Sequence, residues 1–164
     1  MDSQTDPLDL LTDLIAKAKK AGAEAADAVY VHGVSLSHGQ RLGNLERLER
    51  SEGQDLGLRV LIGKRQAIVS STDHGPKAQA ELVERAVAMA RNVPEDPYCG
   101  LAEPEQLAKK VPTLEICDTA EPAPETLIEH AKACEEAALA VKGVTNSEGA
   151  EAGWSLSRIA LAAS

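Results

Sequence analysis

The chain has 164 residues and a formal net charge of −9, a length that suits one domain with its own core and a sign that repels phosphate backbones and anionic membranes, so direct nucleic-acid binding is not expected. Apolar residues make up 43%, but with no Phe, two Tyr, one Trp and 27 Ala the core must be built from small and aliphatic side chains. No apolar run approaches the roughly 18 residues of a membrane span, "MDSQTDPLDL" lacks the basic-then-apolar order of a secretory leader, and three cysteines (Cys99, Cys117, Cys134) without CxxC spacing predict reduced thiols and a cytoplasmic protein.

The first element is a helix. Asp6 can cap it, Pro7 suits its first position, and Leu10, Leu11, Leu14, Ile15 and Ala18 recur at helical spacing up to a stop at Gly22. The period then changes to two. "ADAVYVHGVSLSHGQRL" predicts one long strand, or two with a bend near Gly33. A turn at Gly43-Asn44 would bring "LERLERS" back with Leu42 facing Leu45 and Arg41 facing Glu46. Neither face of this hairpin is apolar enough to be fully buried: one carries Leu36, His38, Gln40, Leu42, Leu45, Arg47 and Glu49.

The next hairpin is different. A turn at Gly63-Lys64, with Gly first as a type II′ turn requires, pairs Val60 with Ala67 and Leu58 with Val69. Leu56, Leu58, Val60, Ala67 and Val69 then share the core face, and Gly57 marks a bulge or a close backbone approach. A second helix starts near Pro76, with Thr72 or Asp73 at the preceding turn, and carries the stripe Leu82, Val83, Ala86, Val87, Ala90. The Pro-rich stretch 93–124 predicts an ordered loop wrapping the domain, with one short helix after Pro104. A third helix runs from Pro124 to Lys142, its stripe Leu127, Ala131, Cys134, Ala138 and Val141, and Gly143 ends it. The tail "VTNSEGAEAGWSLSRIALAAS" predicts a strand, a turn near Glu148-Gly149, and another strand. The chain stops inside that strand, which leads us to expect a piece of a longer protein. The pattern is α+β: a mostly antiparallel sheet of five to seven strands, helices on one face, in a single domain over residues 1–164.

Candidate chemistry is sparse. His130 and Cys134, four apart on the third helix, form a possible metal half-site, but Cys134 sits on the apolar stripe and no second ligand pair is visible. His32 and His38 lie on or near the polar strands, at the surface or lining a cavity, and His74 reads as a helix-entry loop residue. No HExxH, GxSxG, GxGxxG or P-loop occurs, and no carboxylate pair stands out as an acid–base couple. We therefore assign no catalytic, cofactor-binding or metal-binding residue in this chain.

Several phrases, in order and at ordinary spacing, resemble the N-terminal domain of the TldD/PmbA family: "GLRVLIGKRQAIVSSTD" at 57–73, "ERAVAMAR" in the following helix, "PEDPYCGLAE" at 94–103 and "EEAALAVKGVTNSEGA" at 135–150. "RQAIVSSTD" and "TNSEGA" look closer to the PmbA (TldE) branch. The resemblance implies a cytoplasmic two-domain subunit whose C-terminal domain is absent here. It also implies a heterodimer with a TldD-like subunit, acting as a zinc-dependent peptidase on extended peptides, with the zinc held by an HExxxH-type motif of the TldD-like partner. Under that reading the polar strands from Ser35 to Arg50 face the second domain, the partner or a peptide chamber. The plainer alternative is a solvated hairpin. The rival function is a non-catalytic regulatory module acting on gyrase or a toxin–antitoxin protein.

Overall fold

The computed structural model describes residues 6–164; of the ten residues read above as lacking a leader, the first five lie outside the described residues. The elements in chain order are α1 (Pro7–Lys20), β1 (Ala25–Arg41), β2 (Asn44–Ile62), β3 (Arg65–Ser71), α2 (Pro76–Asn92), a 3₁₀ turn (Pro104–Gln106), α3 (Pro124–Leu139) and β4 (Ala150–Ala163). One sheet holds the strands in the order β3-β2-β1-β4. It is antiparallel: β2 and β3 pair from Leu56↔Ser71 to Ile62↔Arg65, and β1 turns back into β2 through two residues. On the other side, Gly149 lies against Gln40 while Ser164 donates to the Ala26 carbonyl.

The sheet has four strands where five to seven were expected. Of the two readings of residues 25–41, one long strand is the one that forms: β1 runs for 17 residues, and β2 runs unbroken for 19. Val144–Gly149, expected as a strand, enters β4 as irregular chain. A glycine in an extended run permits a bend without forcing one.

The chain divides into two compact units. One holds the described residues up to His32 with 54–113 and 158–164; the other holds 33–53 and 114–157. The first contains the aliphatic core. Asp6 accepts the Leu8 amide at 2.9 Å and caps α1, Pro7 starts it, and Leu11, Leu14, Ile15 and Ala18 are buried. The predicted Gly63 turn forms, with Val60↔Ala67 and Leu58↔Val69 in register; Gly63 has φ 58°. Leu56, Leu58, Val60, Ala67 and Val69 join α1 and the buried stripe of α2 in one cluster. Gly57 sits where the backbone passes close to Val29, whose Cγ1 would be 3.0 Å from an added Cβ. On the opposite face Arg59 and Asp27 form an ion pair with two 3.1 Å hydrogen bonds from Nε. Pro76 opens α2, but Gly75 holds the cap position, and Asp73 Oδ1 accepts the Gly75 amide one turn earlier.

The Pro-rich loop does not cover the core as expected. Cys99 is buried, but residues 102–121 are exposed throughout, and only the 3₁₀ turn after Pro104 matches the sequence reading. No helix among the described residues is long and apolar enough to cross a membrane.

Leu58 is fully buried, so Leu58→Ala is expected to lower unfolding free energy by about 2–5 kcal/mol. Ile68 is 67% exposed on the opposite face, so Ile68→Thr should change it by less than about 0.5 kcal/mol. Chemical denaturation with matched slopes checks both.

Candidate functional site

The polar centre of the second unit lies where α3 meets the β1–β2 turn. The buried row on α3 is Leu127, Ala131 and Glu135, spaced four apart. Cys134 and His130, expected on the apolar stripe and at its edge, are both exposed, as are Ala138 and Val141. The helix thus ends its buried row on a carboxylate, 3% exposed. Facing residues on β1 are Leu36, His38 and Gln40, all buried. The expectation that neither face of this hairpin is buried is therefore wrong for β1. The face closes although it is polar, because its polar groups pair with one another.

The turn explains what Glu135 does. It occupies Leu42-Gly43, one residue earlier than expected, so the foreseen Leu42–Leu45 and Arg41–Glu46 pairs do not form. Both central residues have positive φ, 49° and 74°, as a type I′ turn demands. Their amides point at the helix: Leu42 N–H donates to Glu135 Oε1 at 2.7 Å and Gly43 N–H to Oε2 at 3.0 Å. Gln40 Nε2 donates to Oε2 at 3.0 Å. Since the amide nitrogen of Gln40 faces the carboxylate, its oxygen faces His38, whose Nε2–H donates at 3.3 Å. The other ring nitrogen, Nδ1, is buried with no hydrogen-bond partner.

Donors to the charged form lower a carboxyl pKa. Glu135 is held at about 2 by the Ser147 and Gln40 side chains first, then by the Gly43 and Leu42 amides. An acid so saturated is ionised at any physiological pH, so it neither delivers a proton nor attacks a substrate. It fastens a helix to a turn. The entry to β4 is fastened at the same place: Arg41 Nε donates to the Ser147 carbonyl at 2.9 Å. Gly149, at φ 109°, passes so close that a Cβ there would lie 2.6 Å from the Gln40 carbonyl oxygen.

The other candidates do not assemble chemistry. His74 stands edge-on to Tyr30 at 5.5 Å between ring centres, within the first unit. A cavity of about 540 Å³ between α1 and α2 has an apolar floor of Ala80, Val83 and Val87, rimmed by Lys17 and Arg91. Those cations already donate, Lys17 to Gln79 Oε1 at 2.9 Å and Arg91 to the Ala21 carbonyl at 3.1 Å. A ligand site needs convergent polar groups, and beside these two engaged cations the lining adds only the Glu84 carboxylate. Among the described residues no three His, Cys, Asp or Glu side chains come together to hold a metal. Sequence reasoning missed Glu135 and Gln40. The available signal was a carboxylate four residues beyond Ala131 on the stripe, where an apolar residue was due.

The family model described as PmbA/TldA metallopeptidase domain 1 matches residues 26–90. The chain is 39% identical over 136 residues to "Metalloprotease PmbA" of Escherichia coli O157:H7, covering 82% of this chain and 30% of that protein. It is 36% identical over 135 residues to "Metalloprotease PmbA homolog" of Haemophilus influenzae, covering 81% and 30% respectively. The chain thus spans about 30% of the length of the curated relatives it matches. Its fold is similar to that of a Bacteroides thetaiotaomicron protein named as a modulator of DNA gyrase, with TM-score 0.80 at 23% identity over 94% of this chain and 36% of that one. It is also similar to TldE from Thermococcus kodakarensis, with TM-score 0.74 at 18% identity over 94% and 35%.

Two tests bear on this site. The depressed pKa of Glu135 means its contribution to stability is complete above about pH 4.5 and is lost as pH falls toward about 2. Glu135→Gln should flatten the acid limb of the stability curve in that window, measured by denaturation at stepped pH. Leu42 sits in a left-handed conformation that Asn tolerates better, with its side chain half exposed. Leu42→Asn is expected to add about 0.5–1 kcal/mol by the same assay.

Proposed function

We propose that this chain, which carries domain 1 of the PmbA/TldA metallopeptidase family at residues 26–90, is the N-terminal domain of a PmbA/TldE-like subunit. In this reading it is inert by itself and serves a TldD-like partner's zinc peptidase by assembly and by enclosing extended peptides. The observation that carries the inert role is Glu135. It is the buried carboxylate at the polar centre of the second unit, and four donors hold it ionised and occupied, so it fastens structure rather than acting on substrate. The identity to "Metalloprotease PmbA" supports the family role. Zinc chemistry, when present, belongs to the partner; what this chain adds is surface.

The test has two arms. The chain alone should hydrolyse no unfolded peptide and bind no stoichiometric zinc. Used as bait, it should capture a TldD-like subunit, and the pair with the complete PmbA-like protein should cleave unfolded peptides. Stoichiometric zinc on the chain, lost in His130→Ala or Cys134→Ala, would defeat the inert role. Capture of gyrase subunits without a TldD-like protein would favour the regulatory-module reading.

A further inference from the structure

Strand β2 has an open side. β3 pairs only with Leu56–Ile62, and β1 occupies the other edge of β2. Among the described residues no loop makes a backbone hydrogen bond to Asn44–Gly53, and all of these residues are exposed. An unpaired edge of this length offers a row of amides and carbonyls to any strand that fits it.

The side chains on this edge decide what fits. Residues 44–52 read NLERLERSE. The charges mirror about Leu48 with opposite sign: Glu46 reflects onto Arg50, and Arg47 onto Glu49. Two identical strands pair antiparallel about a two-fold axis normal to the sheet, and directly opposed residues then point to the same side. With the axis at Leu48, Arg47 faces the partner's Glu49, Glu46 faces the partner's Arg50, and the two Leu48 side chains meet. Moving the axis to Arg47 or Glu49 places identical charges against each other on the axis, and moving it to Glu46 or Arg50 does the same. With the axis at Leu48 all four charges from Glu46 to Arg50 meet an opposite charge and Glu52 faces Asn44, whereas an axis at Ser51 pairs Arg50 with Glu52 and Arg47 with Asp55 but leaves Glu46 and Glu49 unmet.

We propose that a second copy of this chain docks on this edge, extending the sheet through antiparallel pairing centred on Leu48. The intramolecular charges leave room for it. Arg47 reaches Glu151 beside Gly39, and Arg50 reaches Glu121 and Glu52. Glu46 and Glu49 have no cation within ion-pair distance among the described residues. The second copy supplies those two cations; Arg47, which lies over Gly39 toward Glu151 on β4, turns outward to meet the partner's Glu49. Leu48, half exposed in one copy, is covered by its twin. This inference does not rest on the peptidase reading.

Sedimentation velocity of the chain over a wide concentration series should show a monomer–dimer equilibrium that weakens with salt. Arg47→Glu with Arg50→Glu makes every charge from Glu46 to Glu52 acidic, and Glu46→Arg with Glu49→Arg makes every charge from residue 46 to residue 50 basic. Each variant alone should associate at least about tenfold more weakly, through like charges in opposition. The exposed ion pairs lost within each copy matter little to folding, which circular dichroism and thermal unfolding verify. Mixing the two variants in equimolar amounts should restore the dimer as a heterodimer. The proposal is overturned by a wild-type chain that stays monomeric, by a dimer indifferent to both charge reversals, by a mixture that fails to associate, or by an extended peptide binding this edge while the chain remains monomeric.

Discussion

A carboxylate taken out of water must be met by donors, or it neutralises. In the second unit that requirement organises everything near it. Glu135 ends the buried row of α3, and the donors nearest to it are two turn amides that a type I′ hairpin cannot satisfy internally, with the Gln40 amide beside them. One charge therefore sets the position of the turn, the burial of a polar β1 face and the tautomer of His38. Replacing the cluster by aliphatic residues would leave the turn amides unpaired, which explains why this part of the molecule is not built like the Leu- and Val-lined core of the first unit.

That contrast accounts for what was legible in the sequence. Where an element buries aliphatic residues against a two-residue turn with one obligatory glycine, the pattern determines the register. The Gly63 hairpin, the cap and first turn of α1, the stripe of α2 and the 3₁₀ turn after Pro104 are all read correctly from residue types. Where burial depends on polar pairing between distant segments, it is not. Leu42 is a poor residue for positive φ, so local chemistry favours Gly43-Asn44 as the turn. The tertiary bond from Glu135, 93 residues away, overrides it. The same long-range pairing hides the burial of His38 and Gln40 and shifts the α3 stripe from Cys134 to Glu135.

The strand count failed for a related reason. Alternation in 25–41 and 44–62 is interrupted by glycines and by charge, which left a bend near Gly33 open as an alternative and separated "LERLERS" from the Gly63 hairpin. Continuous strands of 17 and 19 residues exceed the usual length, about 5–6 residues, that a sequence prior favours. A strand persists through polar stretches when its neighbours hold the ladder, and β1 lies between two such neighbours.

Among the described residues the outer edge of β2 beyond β3 is unpaired, as are the outer edges of β3 and β4. Charged residues on an open edge usually repel further strands, and five charges in the seven residues from Glu46 to Glu52 do this against most sequences. The order of the signs matters as much as their number. The arrangement in this chain discourages generic pairing through desolvation and repulsion, while self-pairing about Leu48 brings opposite charges together at all four charged positions from Glu46 to Arg50. Specificity of that kind rests on the order of charges and not on the apolar side chains that the strands also expose, such as Leu45 and Leu48.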